Sequence, residues 1–217
     1  MTSENFRTWF ILLSMPISML AIFFLDQVDW GWIGGAVWSF GFAAMYIIYA
    51  QIKKDVMMWR FVLFTIAAGF TELIADKWIV DTHTLFYPLD EPFLIASPIY
   101  MPFSWVVVLI QIGYIGHLFH HKFNIVLATI FTGVLGCSVI PFYEYLAIHA
   151  GWWHYENAHF WGIVPRYIYM AEGMLMLTIP YLFDHTLRQK YGMVIFLGVL
   201  QGLVMLIASI FAFHFFS

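Results

Sequence analysis

The feature that most constrains this chain is a series of long apolar runs separated by short polar gaps. They cover about Trp9–Leu25, Trp32–Ile52, Met57–Ala75, Ile99–Phe119, Phe123–Ile148, Ile163–Leu182 and Met193–Phe216. A bilayer core about 30 Å thick is crossed by about 20 helical residues, so each run is long enough to span. Lipid offers no hydrogen bonds to the backbone, so an apolar spanning segment satisfies its own peptide groups by forming a helix. The expected fold is therefore all-α: a polytopic integral membrane protein of seven transmembrane helices. Composition agrees, with 63% hydrophobic and 10% charged residues and a mean hydropathy of +0.83, against about 25% charged in soluble domains. The length is consumed by spans and short loops, so residues 1–217 are expected to form a single seven-helix domain. The first run lacks a small-residue cleavage site and is expected to be a retained span rather than a signal peptide.

Basic residues set the expected orientation. Arg7, Lys53, Lys54, Arg60, Lys122, Arg188 and Lys190 are seven of the nine Lys and Arg and fall on one side of a seven-span topology. Lys77 and Arg166 fall on the other. The positive-inside rule then places the N-terminus in the cytoplasm, in a multi-pass protein of the inner membrane if the source is bacterial. A net charge of −4 argues against nucleic-acid partners and leaves membrane lipids and a lipophilic small molecule; a homo-oligomer is compatible with this reading. Most acidic residues gather in the non-cytoplasmic loops and adjoining helix halves, so chemistry is expected there.

Breakers and repeats organise that side. Pro88, Pro92, Pro98 and Pro102 prevent a continuous helix after the third run, and the apolar loop containing them is expected to form an interfacial lid. Pro16, Pro141 and Pro180 fall within spans and should bend them. Gly198 and Gly202, like Gly31 and Gly35, have the GxxxG spacing that lets membrane helices approach. ELIADKW at Glu72 and EYLAIHAGWW at Glu144 share E-x-x-A followed by Trp, and Pro-x-Tyr follows at Pro98 and Pro165. This is the pattern of a parallel duplication.

Glu72, Glu144 and Glu172 lie inside apolar runs, and an ionisable group in a bilayer is a functional-site hypothesis by default. Glu172 lies about 13 Å along its span, near the midplane. Asp76 shares a helix face with Glu72 at i,i+4. A protonated carboxyl in an apolar cavity is suited to general acid catalysis; the structural alternative is a hydrogen-bonded pair such as Glu172 with Arg166. Aromatic residues make up 21% of the chain. Many serve as interfacial belts, but Trp78, Tyr87, Tyr100, Trp105, Tyr143, Tyr145, Trp152, Trp153, Tyr155, Trp161, Tyr167 and Tyr169 travel with the acids and could shield a cation through their π faces.

The histidines point less clearly. His117, His120 and His121 form H-x-x-H-H, but His149, His154 and His159 fall on the opposite side of the bilayer, so one metal centre cannot collect both groups. The expectation is no metal, no cofactor, and a place for His117, His120 and His121 in the polar cytoplasmic loop beside Lys122. Cys137, the one cysteine, lies in an apolar run and reads as core filling. The last run has no lysine, which excludes a retinal Schiff base there.

The stretch GWWHYENAHFWGIVPRYIYMAEG, residues 151–173, resembles the W-x-Y…G-x-x-P…E pattern of small polytopic isoprenoid enzymes: carotenoid hydratases, lycopene-cyclase-domain proteins and, more loosely, membrane meroterpenoid cyclases. Lycopene-cyclase domains carry Pro-x-Glu-Glu, whereas Pro165 here is followed by RYIYMAE. The resemblance implies a cofactor-independent enzyme that cyclises or hydrates an isoprenoid double bond by proton transfer. Glu172 would donate the proton, with Glu144 and Glu72 as the other acid or base candidates. Trp153, Tyr145, Tyr167, Tyr169, Tyr100, Trp105, Asp76 and Arg166 would contact the substrate. A lipid-binding or proton-coupled transport protein is the alternative reading.

Overall fold

The structure, a computed structural model, describes residues 3–217. Its helices are α1 (Ser3–Gln27), α2 (Trp32–Lys53), α3 (Val56–Asp81), α4 (Met101–Lys122), α5 (Ile125–His149), α6 (Arg166–Met176), α7 (Ile179–Thr186) and α8 (Tyr191–Phe216). Six of them, α1 to α5 and α8, are long and apolar enough to cross a membrane. Local chemistry sets several ends. The Asp55 and Asn124 carboxyl and amide oxygens accept from the Met58 and Leu127 amides at 3.0 and 2.9 Å, capping α3 and α5. The outer surface carries large apolar side chains such as Phe24, Val126 and Ile207, each more than 60% exposed, as lipid-facing helices require.

The helices form one bundle. α3 packs along α8, α6 lies against both α5 and α8, and α4 contacts α2, α3 and α5. The GxxxG pair of the last helix is a true interface: a Cβ on Gly198 or Gly202 would meet the Phe64 or Ala68 carbonyl of α3. The other pair is not. Gly31 precedes α2 in open space at a φ of 52°, while Gly35 packs beneath Tyr100 and Trp152. Between α1, α2, α4 and α5 lies a satisfied polar knot. Tyr143 donates to Gln111 Oε1 at 2.7 Å, and Gln111 Nε2 donates to Ser18 and Tyr46 at 3.1 Å each. Such bonds average about 0.6 kcal/mol in membrane helices, so the knot fixes rotation more than it adds stability.

One expected span differs from its helix. The run Ile163–Leu182 becomes α6 and α7, broken at Leu177 and Thr178 ahead of Pro180. The freed backbone is answered from α8. Gln201 Nε2 donates to the Leu175 carbonyl at 3.0 Å, and Thr178 donates to Gln201 Oε1 at 2.8 Å. The α6–α7 pair still runs from one end of the bundle to the other. At the cation-rich end, Arg7 pairs with Asp55 at 2.7 Å and Arg60 donates to the Leu187 carbonyl at 2.7 Å.

The opposite end is closed by two loops with short strands: β1 (Leu85–Phe86), β2 (Phe93–Leu94), β3 (Ser97–Pro98), β4 (His154–Tyr155), β5 (Phe160–Trp161) and β6 (Val164–Pro165). β2–β3 and β5–β6 are hairpins, and β1 pairs antiparallel with β4. Each strand is two residues long, with Pro98 and Pro165 ending β3 and β6, and together the loops form a lid. The two loops repeat one plan of helix, strand, hairpin, Pro-x-Tyr, helix. Their hairpins share register, Phe93↔Pro98 and Phe160↔Pro165, and each turns on a residue with positive φ, Ile95 at 65° and Gly162 at 69°.

Candidate functional site: an acid chamber beneath the lid

The duplication fixes which acids are equivalent. Glu72 and Glu144 align by sequence, but the structure shifts the match by one helical turn. Tyr87 donates to Asp76 Oδ2 at 2.6 Å, and Tyr155 donates to Glu144 Oε2 at 2.9 Å. Each tyrosine lies eleven residues after its acid. Asp76 is therefore the counterpart of Glu144, and the Pro-x-Tyr sequences then follow at nearly equal spacing. The counterpart of Phe86 is His154, and these two residues pair with each other between β1 and β4, their rings stacked at 5.4 Å. That pairing places a pseudo-two-fold axis through the lid.

The four carboxyl groups line one chamber with Trp105, Trp153, Tyr87, Tyr155, Met101 and Ser209. α3 supplies Glu72 and Asp76, α5 supplies Glu144 and α6 supplies Glu172. The helical period explains why they converge. On α5 the positions Ile140, Tyr143 and Ala147 face inward beside Glu144, while Phe142 and Tyr145 face outward. Glu72, Asp76 and Glu172 are each 5–6% exposed. Glu144 is the best supported of the four, since Trp153 Nε1 also donates to its Oε2, at 2.8 Å. Glu72 and Glu172 are the least supported: each has an Oε2 that is buried without a hydrogen-bond partner. Glu72 lies within electrostatic reach of Asp76, Glu172 and Glu144.

A second, apolar chamber abuts the first and shares Met101, Trp105, Glu144 and Trp153 with it. Its other walls include Ile22, Trp38, Val108, Ile140 and Trp152. The two chambers have cavity volumes of about 50 and 40 Å³, each room for about three waters.

Above the chambers, burial first and the facing carboxyl second hold the Tyr87 and Tyr155 hydroxyls well above their ordinary value of 10.0. Both remain protonated donors across the accessible pH range. Glu91, in the lid, has both carboxyl oxygens buried without a hydrogen-bond partner. The Tyr100 hydroxyl faces it outside hydrogen-bond geometry, and burial pushes the Glu91 carboxyl up to about 7.

Not every residue read from the sequence reaches this site. Glu72, Glu144, Glu172, Asp76, Trp105 and Trp153 do. Tyr145 does not: it is 43% exposed on the outer face of α5, against His149. Arg166 is exposed over the Trp161 ring, and Tyr169 packs edge-on to that same ring. The alternative pairing of Glu172 with Arg166 is therefore absent. Tyr167 is buried but bonds Thr84 at 3.1 Å, and Tyr100 packs against Gly35 beside Trp152; neither lines a chamber. Tyr87 and Tyr155, grouped with the acids by sequence but given no partner there, hold Asp76 and Glu144 at the same i,i+11 spacing from acid to tyrosine. The cytoplasmic-loop expectation for His117, His120 and His121 is also corrected, because all three lie in the last turns of α4 and His117 is buried.

No curated protein and no solved structure matches the chain. A family match covers residues 73–216, which takes in both lid loops and three of the four chamber acids but begins just after Glu72. The chain belongs to the family described as domain of unknown function DUF6989.

Proposed function

We propose that the chain is a membrane-embedded, cofactor-independent enzyme that protonates a carbon–carbon double bond of a lipophilic isoprenoid, leading to cyclisation or hydration. The observation that carries the reading is the pair of buried, unpartnered carboxyl oxygens on Glu72 and Glu172, set beside Trp105 and Trp153. An unsatisfied buried polar atom is destabilising by about 1–3 kcal/mol, and such arrangements persist where the group has work to do. The Glu172 carboxyl would deliver its proton to one alkene carbon, leaving a cation on the other. The indole faces of Trp105 and Trp153 would shield that cation. Glu144, oriented by Trp153 and Tyr155, would take a proton from the neighbouring carbon or from an added water, and the proton then returns to Glu172. Substrate would occupy the apolar chamber once the lid lifts, and the tyrosine shielding assigned from sequence passes to the two tryptophans.

The topology in this reading has seven crossings, α6–α7 counting as one broken span, with the N-terminus cytoplasmic. Its support is the basic end formed by Arg7, Arg60 and the last turn of α4. In D₂O, product formed by the wild type should carry one new deuterium, and Glu172→Gln should abolish turnover while the protein stays folded. Wild-type-like turnover in that variant overturns the assignment.

A second reading, proton-coupled transport of a small solute, draws on two observations. The α6–α7 break resembles the discontinuous helices of carriers, and the acid chamber is water-sized. Mass spectrometry of co-purifying lipids separates the two: a bound polyene supports the enzyme, while solute-driven proton uptake in proteoliposomes supports the carrier.

A further inference from the structure

At the end of the bundle away from the lid, α4 presents His117 and His121 one turn apart on one face, toward Asp184 of α7. Trp105 of the acid chamber lies twelve residues earlier on α4, about 18 Å away along the axis, so this cluster is separate from the site above. Asp184 Oδ1 is 3.2 Å from His117 Nδ1 and 3.3 Å from His121 Nε2, and all three ligand atoms lie within 4.8 Å of one another. We propose that His117, His121 and Asp184 form a site for a divalent transition-metal ion that clamps α7 to α4.

Three observations carry it. First, bonds of about 2.0–2.1 Å to imidazole nitrogen and carboxylate oxygen at a tetrahedral angle separate neighbouring ligand atoms by about 3.3 Å. Both His–Asp distances match that edge. Second, His117 Nδ1 is buried without a hydrogen-bond partner, its side chain 9% exposed. Asp184 Oδ1 stands 3.2 Å from it, the spacing at which a shared metal ion holds two neighbouring ligand atoms. Third, the site is open on one side, with the His121 side chain 59% exposed and that of Asp184 20%. An ion can enter there, and water can fill the remaining position.

The donor set selects the metal. Two imidazoles and a carboxylate suit zinc, cobalt, nickel or iron(II), whereas magnesium and calcium prefer all-oxygen sites. Arg7, whose charge acts on His117, is engaged by Asp55 at 2.7 Å. Histidines alone do not complete the site, since His149 and His154 lie at the lid end. An aspartate distant in sequence completes this site instead. The clamp has a structural role, because α7 is an eight-residue helix beyond the break at Leu177 and Thr178.

The test uses the tag-free full chain in detergent, freed of metal by chelator, with Co²⁺ and Zn²⁺ as probes. Co²⁺ should bind one ion per chain and give a visible ligand-field band; Zn²⁺ should displace it and raise the Tm. Affinity should fall at least about 100-fold in His121→Ala and in Asp184→Asn and stay unchanged in His120→Ala. The exposed position of His121 makes its variant a fair test of binding rather than of folding. Absence of the band, wild-type affinity in both ligand variants, or equal stabilisation by Mg²⁺ overturns the proposal.

Discussion

Tyr87 and Tyr155 are equivalent by position yet unequal by energetics, and this asymmetry makes a sharp test. Tyr87 donates to Asp76 Oδ2, and the Ser97 hydroxyl is the other group acting on this carboxyl. Tyr155 shares its acceptor, Glu144 Oε2, with the Trp153 indole. Tyr87→Phe keeps the ring, and with it the edge contacts to Phe93 and Trp153 at 6.3 and 6.2 Å, but leaves a buried carboxyl unsatisfied. The expected loss is about 1–3 kcal/mol. Tyr155→Phe removes one of two donors, so the expected loss is that of an ordinary hydrogen bond, about 0.5–1.5 kcal/mol. Reversible unfolding of the two variants in the same detergent measures the difference. Adding Ser97→Ala to Tyr87→Phe should deepen the loss if the serine rotates to rescue Asp76. Equal losses for Tyr155→Phe and the Tyr87→Phe, Ser97→Ala double variant, or a larger loss for Tyr155→Phe, would refute the idea that second donors set the energetics of these acids.

Two further outcomes are expected. Glu91 is neutral in the folded lid up to about pH 7 but ionises near 4.5 when unfolded, so the folded state binds its proton more tightly. Its contribution is fully present below pH 4.5, falls as pH rises toward 7 and is flat above that; Glu91→Gln should remove this part of the decline in Tm between pH 5 and 8, and an unchanged slope counts against it. Gln201→Leu deletes both hydrogen bonds at the α6–α7 break and should lower unfolding stability by about 1–2 kcal/mol; a neutral result would mean the break holds itself.

The spans, the breakers and the inward acids were legible because hydropathy, proline and an ionisable group in lipid each act locally. Six runs became long helices for that reason. The seventh run did not, since an apolar window is blind to a break whose carbonyl is satisfied by Gln201 from another helix. The duplication was visible, but its register was not: two acids lie one turn apart on α3, and only the tyrosine contacts show that Asp76 is the counterpart of Glu144. Tyr145 illustrates a legible error. Residues adjacent on a helix differ by about 100°, and with Ile140, Tyr143 and Ala147 marking the inward face beside Glu144, Tyr145 falls on the outer one. The Asp184 contact to His117 and His121 was beyond reach, because it depends on where α7 settles after the break.

The β1–β4 pairing has a mechanical consequence. Beside its two paired registers, Glu156 N donates to the Thr84 carbonyl at 2.9 Å and Asn157 Nδ2 to that of His83 at 3.0 Å. The two loops are thus stitched across the pseudo-axis, and neither peels away without straining the other. In the proposed reaction, where the lid lifts to admit substrate, this seam would make the two loops lift together. A single cross-strand disulfide at this seam would act on every acid at once.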